Sequence, residues 1–384
     1  MPKVCKLSVE EAVAYFPKQA PVVAAEVPAA QATAKAKTRY RVRNRKTYNQ
    51  ALVQRGSLTF WLSDDVLAAW QAEASGKRGH PTTYADAAIE CLLLMQSVYH
   101  LPLCQTEGFA RSIFALAKIE LPIPDYSTLA RRRATLDISL PVQHKSAPMH
   151  IIVDSSGLKI YGDGEWMVRQ HRATKRRTWR KIHLAIDEAT QEIVACITTE
   201  RQAANHTTLP TVLDDIKQPI GQVSADGGYD YNSAYLATLK HQATPVFPPR
   251  VNATVNERWH NWASRNGVVK RVKQIGLKAW KQETNDHRRS LAETGFFRLK
   301  TIFGERLGSR RLETQQQESR LRCVALNRMT RDGMPQSYKV VAALTKRLTN
   351  SALAPFAIVR QNSATKPRPI SAPSCSRWRI RCKR

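Results

Sequence analysis

The 384-residue sequence predicts an α/β fold, a mixed sheet flanked by helices, with a wholly helical region ahead of it. Three observations point there. From Ser63 to Arg133 apolar residues recur at helical spacing. After Pro148 the pattern changes to short apolar runs of strand length, two of which end in Asp. Beyond Thr198 such runs alternate with helical stretches, as where parallel strands are joined through crossover helices.

Composition bounds the partners. Hydrophobic residues make up 42%, enough for an ordinary core, and 60 Lys plus Arg against 31 Asp plus Glu leave a net charge of +29. Such an excess favours polyanions, nucleic acid first among them; taken alone it also fits a ribosomal-type or simply soluble basic protein. No acidic residue follows Asp332. The seven cysteines are scattered without a C-x-x-C pair, which argues against structural zinc and for reduced thiols in a cytosol. The apolar run around Cys91–Met95 is too short to span a bilayer, and Met1–Phe16, with Glu10 and Glu11, lacks a signal pattern, so no membrane partner is expected.

In chain order, residues 1–38 are rich in Ala, Pro and Val and read as a flexible leader. Residues 39–147 read as a basic arm followed by a helical, helix-turn-helix-like DNA-binding domain. The arm holds Arg39, Arg41, Arg43, Arg45 and Lys46 with Tyr40 and Tyr48 between them; it is either a solvated linker or a contact to DNA backbone or minor groove. Helices are expected from Ser63-Asp64-Asp65, from Pro81 to Tyr84 through Met95, and from Pro102 with Phe109, Ile113 and Leu116 on one face. Asp125-Tyr126-Ser127 caps the next, whose Arg131, Arg132 and Arg133 either read DNA or form the solvated face of a plain bundle.

Residues 148–335 read as the sheet domain. The run His150–Val153 ends in Asp154; Lys181–Asp187 and Glu192–Thr198 are strands joined by a turn at Glu188–Gln191. Then come a helix (His206–Ile216), a strand (Gln222–Asp226) closed by Gly227-Gly228, a helix (Ser233–His241), an edge strand (Thr244–Phe247) and an amphipathic helix (Arg288–Phe303). Three strands, helix, strand, helix, strand, helix is the order of an RNase H-like sheet. Residues 248–286, with Trp259, Trp262 and Trp280 among basic residues, are expected as a helical insertion that either packs on its own aromatics or tracks DNA. Residues 336–384 form a basic, disordered tail by composition.

Asp154 and Asp226 each end an apolar run, so their carboxylates fall at the carboxyl ends of strands, where open α/β sheets bind ligands. Two such acids side by side repel unless a cation lies between them. Glu293, on the last helix, shares its face with Arg289 and Lys300. Mg²⁺ prefers oxygen ligands, and Mn²⁺ can replace it; two such ions about 4 Å apart activate a hydroxyl and stabilise a leaving oxygen at a phosphodiester. Asp154, Asp226 and Glu293 are therefore the expected metal ligands and catalytic acids, with Arg289 and Lys300 offsetting phosphate charge. A lone strand-terminal Asp is commonly a turn former, and a helical Glu near Lys a solvated pair, so the combination carries the reading. Asp187 competes as a ligand but sits in the hairpin turn; Asp230 is placed to support Asp226. Lys175, Arg176, Arg177 and Arg180, between the first two strands, either grip DNA near the site or form a solvated loop.

These stretches resemble bacterial insertion-sequence transposases of the DDE superfamily, in particular the group named after insertion sequence five. The matching segments are Tyr48 to Leu58, Val153 to Lys159, His171 to His183, Ala225 to Asp230 and Arg288 to Lys300. The family's third motif is Tyr, two residues, Arg, three residues, Glu, six residues, Lys; Arg289, Glu293 and Lys300 keep that spacing, whereas Asp286 stands where the Tyr belongs. The resemblance implies a triad on Asp154, Asp226 and Glu293, cleavage of double-stranded DNA at terminal inverted repeats, joining of the 3′-hydroxyl to target DNA with a short duplication, and at least a homodimer on paired ends. The alternatives are an RNase H-like nuclease without strand transfer and an inactive DNA-binding regulator.

Overall fold

The computed structural model describes residues 39–73, 82–143, 147–160, 179–257 and 262–340. The leader, the segment bearing Lys175, Arg176 and Arg177, Trp259, and the tail from residue 341 lie outside the described residues. All that follows concerns the unit Tyr40–Tyr338.

Its N-terminal part is helical: α1 (Arg45–Gln54), α2 (Leu58–Trp61), α3 (Asp64–Ala68), α4 (Asp86–Tyr99), α5 (Leu103–Leu116) and α6 (Tyr126–Thr135). Asp125 caps α6 as its sequence suggests, accepting from the Thr128 N–H at 2.6 Å. On α5 the inward face is Thr106, Ala110 and Phe114, while Leu116 is exposed, one helical step away from the expected stripe. Arg45 and Lys46 are exposed and open α1 rather than extending an arm. Among the described residues no single helix is long and apolar enough to cross a membrane.

The sheet follows: β1 (Met149–Ile160), β2 (Trp179–Asp187), β3 (Ile193–Glu200), α7 (Asn205–Asp214), β4 (Ile220–Ser224), α8 (Asn232–Lys240) and β5 (Thr244–Val246). Its order is β3-β2-β1-β4-β5, with the first three antiparallel and β4 and β5 added parallel. This is the expected RNase H-like arrangement. The insertion is helical, α9 (Ala263–Ile275) and α10 (Leu277–Glu283); α11 (Ser290–Phe303), the short β6 (Arg306–Leu307) and α12 (Leu312–Asp332) follow, and Ser337–Val340, expected as disordered tail, is a strand paired with Arg39–Val42 of the basic arm.

Alternation along β1 divides the core. Ile151 and Val153 face a cluster with Leu209, Val212, Tyr229 and Tyr235, hence α7 and α8. Ile152 and Leu158 face the other way, into a cluster that runs without a break from Ala292, Phe296 and Leu299 of α11 through α12 to Leu92, Phe114 and Leu129 of the N-terminal helices. The change at residue 147 is thus one of secondary structure, and the helical region shares its core with one face of the sheet.

Helix α12 has no counterpart in the sequence reading. It covers β3, an edge strand whose unpaired backbone groups would otherwise be open. The Asn327 amide donates to Ile193 O and accepts from Ile193 N–H, both at 2.7 Å, and Gln316 donates to Cys196 O at 2.7 Å. A buried Glu318–Arg322 pair joins the same helix to the backbone N–H groups of Gly308 and Ser309.

Candidate active site

Strands β1 and β4 run parallel with Ile152 opposite Ser224. Asp154, two residues past Ile152, lies inside β1 and not at a strand end as the sequence suggests, because the strand continues to Ile160; Asp226 stands two residues past the end of β4 and opens the 3-10 turn Gly227–Tyr229. Asp154 is half-buried and its carboxylate accepts from the Ser155 N–H at 2.7 Å. Asp226 accepts from the Gly228 N–H at 3.0 Å; a Cβ at Gly228 would lie 2.9 Å from that same carboxylate oxygen, so a side chain there would displace the carboxylate.

Helix α11 reaches this edge because it lies close to the sheet. A Cβ at Gly295 would come within 2.5 Å of Ile186 Cδ1 on β2. Lys300 bridges to β1 by donating to Ser156 Oγ at 2.8 Å, one alternation beyond Asp154. Glu293 is exposed at the first turn of α11, and Arg289 is half-buried just ahead of it.

The electrostatics tie these groups together. Burial raises the Asp154 carboxyl above its ordinary range; the Ser155 N–H and Arg289 oppose this, while the charges of Asp226 and Glu293 push it further up. The phenol of buried Tyr229 is likewise driven well up, by burial first and then by Asp154 and Asp226. Three acids thus share one neighbourhood in which added positive charge is favourable. Among the described residues, no three His, Cys, Asp or Glu side chains are grouped tightly enough to ligate one ion as they stand.

The competing acids have other work. Asp187 accepts from the Thr190 N–H at 2.9 Å and from its hydroxyl, so it is a hairpin turn former. Asp230 does not support Asp226: its buried carboxylate is bound by Arg265 through Nε at 2.7 Å and Nη2 at 2.9 Å, and by the Arg250 N–H at 3.1 Å. Asp286, at the family's Tyr position, is buried 3.4 Å from Lys281 Nζ.

The basic residues expected to bind DNA part company. Arg131 is exposed and, among the described residues, bonded to Thr128 within its own helix. Arg132 is tied to Asp86 and to Tyr84 O, and Arg133 is buried against Gln96 and Ser309, so both hold the junction of α6 with its neighbours. Arg180 donates from Nε to Gln315 of α12 at 2.8 Å and lies 3.7 Å from the exposed Glu200 carboxylate. Sequence reasoning missed the close approach at Gly295 and the cradle at Ser156; a small residue inside an amphipathic helix was the available signal for the first.

Two family models, both described as transposase DDE domain, match residues 53–163 and 145–328, together well over half of the chain. The chain belongs to the DDE transposases. It is an enzyme of that class, and the insertion-sequence resemblance read from its motifs agrees. Among solved structures, a cryo-EM structure of the piggyBac transposase synaptic complex with hairpin DNA is similar over 72% of this chain and 73% of that chain, at 11% identity and a TM-score of 0.32, too slight a likeness to carry an argument.

Proposed function

We propose that this transposase, of the group named after insertion sequence five, binds the inverted-repeat ends of its element, cleaves DNA there and joins the freed 3′-hydroxyl to target DNA. The observation that carries the reading is that Asp154 on β1, Asp226 just past the end of the adjacent parallel β4, and Glu293 of α11 lie close enough for the charges of the last two to act on the Asp154 carboxyl. The donor set fits divalent metal: all-oxygen ligands in a neighbourhood that disfavours its own negative charge. Asp154, Asp226 and Glu293 would hold two Mg²⁺ ions, which when bound activate the attacking hydroxyl and stabilise the leaving oxygen. Glu293, exposed and long, is the acid that must swing in.

The chain's own residues prepare the site. Ser155 and Gly228 N–H groups aim the two aspartates. Lys300, steadied by Ser156, and Arg289, beside Asp154, offset the charge of the phosphate. The reading includes double-stranded DNA as partner, at least a dimer on paired ends, and work at the bacterial nucleoid.

The test is incubation of the full chain with a plasmid carrying the DNA that flanks its coding sequence, with and without Mg²⁺. Asp154→Asn, Asp226→Asn and Glu293→Gln should each abolish cleavage while end binding stays near normal. Cleavage at the wild-type rate by any of the three overturns the triad. A labelled 3′ end that is cut yet never joined would leave a nuclease.

A further inference from the structure

Next to the Asp226 turn stands a stack of three side chains that the chemistry above leaves unused. His206, in the first turn of α7, and Tyr231, just before α8, lie ring on ring with centroids 3.8 Å apart and planes 22° from parallel. The Arg250 guanidinium lies over the same Tyr231 ring at 4.4 Å. Two groups that close to one centroid occupy its opposite faces, so Tyr231 is the middle of a sandwich.

Arg250 is fixed at two further points. Its backbone N–H donates to Asp230 at 3.1 Å, and Asp230 is itself held by Arg265. Its Nε donates to Gly227 O at 3.4 Å, the residue next to Asp226. Among the described residues no carboxylate pairs with its guanidinium, which is exposed. An arginine with one face on a ring and Nε engaged presents its two terminal nitrogens, the fork that meets a phosphate with two parallel bonds.

We propose that Arg250 is a phosphate clamp for the DNA strand at Asp226, set in place before DNA arrives by Tyr231 and His206. The inference rests on the DNA-transposase reading above and names a contact within it. The segment after β5 thereby joins the site through one residue, while its Arg265 packs inward. Phosphate is the favoured ligand over a base edge because the fork is anchored one residue from a carboxylate that faces the reacting phosphodiester, and phosphate contacts are what set a protein's register on DNA.

The experiment uses the full chain and a fluorescent duplex carrying the DNA that flanks its coding sequence, with affinity followed against salt by anisotropy and cleavage followed in Mg²⁺. Removing one phosphate contact lowers the slope of log affinity on log salt by about 0.9. Arg250→Gln should show that drop together with slower cleavage. Tyr231→Leu keeps the charge but removes its platform; it should keep the wild-type slope and cleave more slowly, by roughly tenfold to a hundredfold. Lys240→Gln, at the end of α8 and 74% exposed at its side chain, should change neither.

Arg250→Gln with wild-type slope and wild-type cleavage overturns the clamp, and so does a slope change matched by Lys240→Gln. If Arg250→Gln fails to fold, judged by thermal melting, Tyr231→Leu decides: wild-type cleavage by that variant overturns the proposal. A wild-type chain that neither binds nor cuts the duplex sinks the transposase reading itself, whereas a wild-type chain that cuts beside an unaffected Arg250→Gln sinks the clamp alone.

Discussion

Gly295 offers the sharpest test of how α11 is set against the sheet. In Gly295→Ala the new Cβ would lie 2.5 Å from Ile186 Cδ1, where carbon atoms normally rest about 3.5–4.0 Å apart. Ile186 is 1% exposed and packed in the core; unless its terminal methyl turns to another rotamer there, the helix must rise by roughly 1 Å. Overpacking of this kind costs about 1–3 kcal/mol, and Ala over Gly in a helix returns about 1 kcal/mol. The net loss of stability is therefore small, about 0–2 kcal/mol. Activity should suffer more. Glu293 and Arg289 ride on the same end of the helix, and a displacement of about 1 Å is worth on the order of a hundredfold in rate. Plasmid cleavage in Mg²⁺ measures the rate, and urea denaturation measures the stability. Ile186→Val removes the obstructing methyl at its own cost of about 0.5–1.5 kcal/mol, and the double variant should recover most of the cleavage. Wild-type cleavage by Gly295→Ala, or no recovery with Ile186→Val, refutes the claim that this contact sets the height of the catalytic helix.

Two further outcomes follow from the same geometry. Gly228→Ala places a methyl 2.9 Å from the Asp226 carboxylate and should turn it out of the site, cutting cleavage by roughly a hundredfold while the melting temperature barely moves; unchanged cleavage would mean that the orientation of Asp226 is immaterial. His183 is buried, and burial followed by Lys181 lowers its pKa from 6.5 to about 4. The folded state thus holds it neutral where the unfolded chain binds a proton. Stability from this group is complete above pH 6.5 and falls as pH drops toward 4, by about 3 kcal/mol in all. Urea titrations of wild type and His183→Gln across that window should differ by this slope; parallel curves would remove His183 as the cause.

The sequence by itself determined the sheet and its two aspartates. Asp154 and Asp226 are legible because a buried strand writes a continuous apolar run and each Asp breaks one; the break does not mark the strand's end, since Asp154 lies inside β1 (Met149–Ile160) and Asp226 two residues past β4 (Ile220–Ser224). The spacing of Arg289, Glu293 and Lys300 was legible because helical periodicity is local. The cap at Asp125 was local too, and the structure shows it bonded.

What the sequence could not decide depended on partners far along the chain. Helix α12 is not legible because its buried face carries Gln315, Glu318, Arg322 and Asn327, which look solvent-facing until one sees that the backbone between Arg306 and Arg310 meets the first three and Ile193 of β3 meets Asn327. Arg132, Arg133 and Arg180 show the same limit: charge is visible in sequence, but their partners Asp86, Gln96 and Gln315 lie 46, 37 and 135 residues away. Asp230 pairs with Arg265 across 35 residues, and Arg250 comes to lie beside Gly227 across 23. Periodicity reports which way a side chain points relative to its neighbours in sequence; only packing decides what it meets when it gets there.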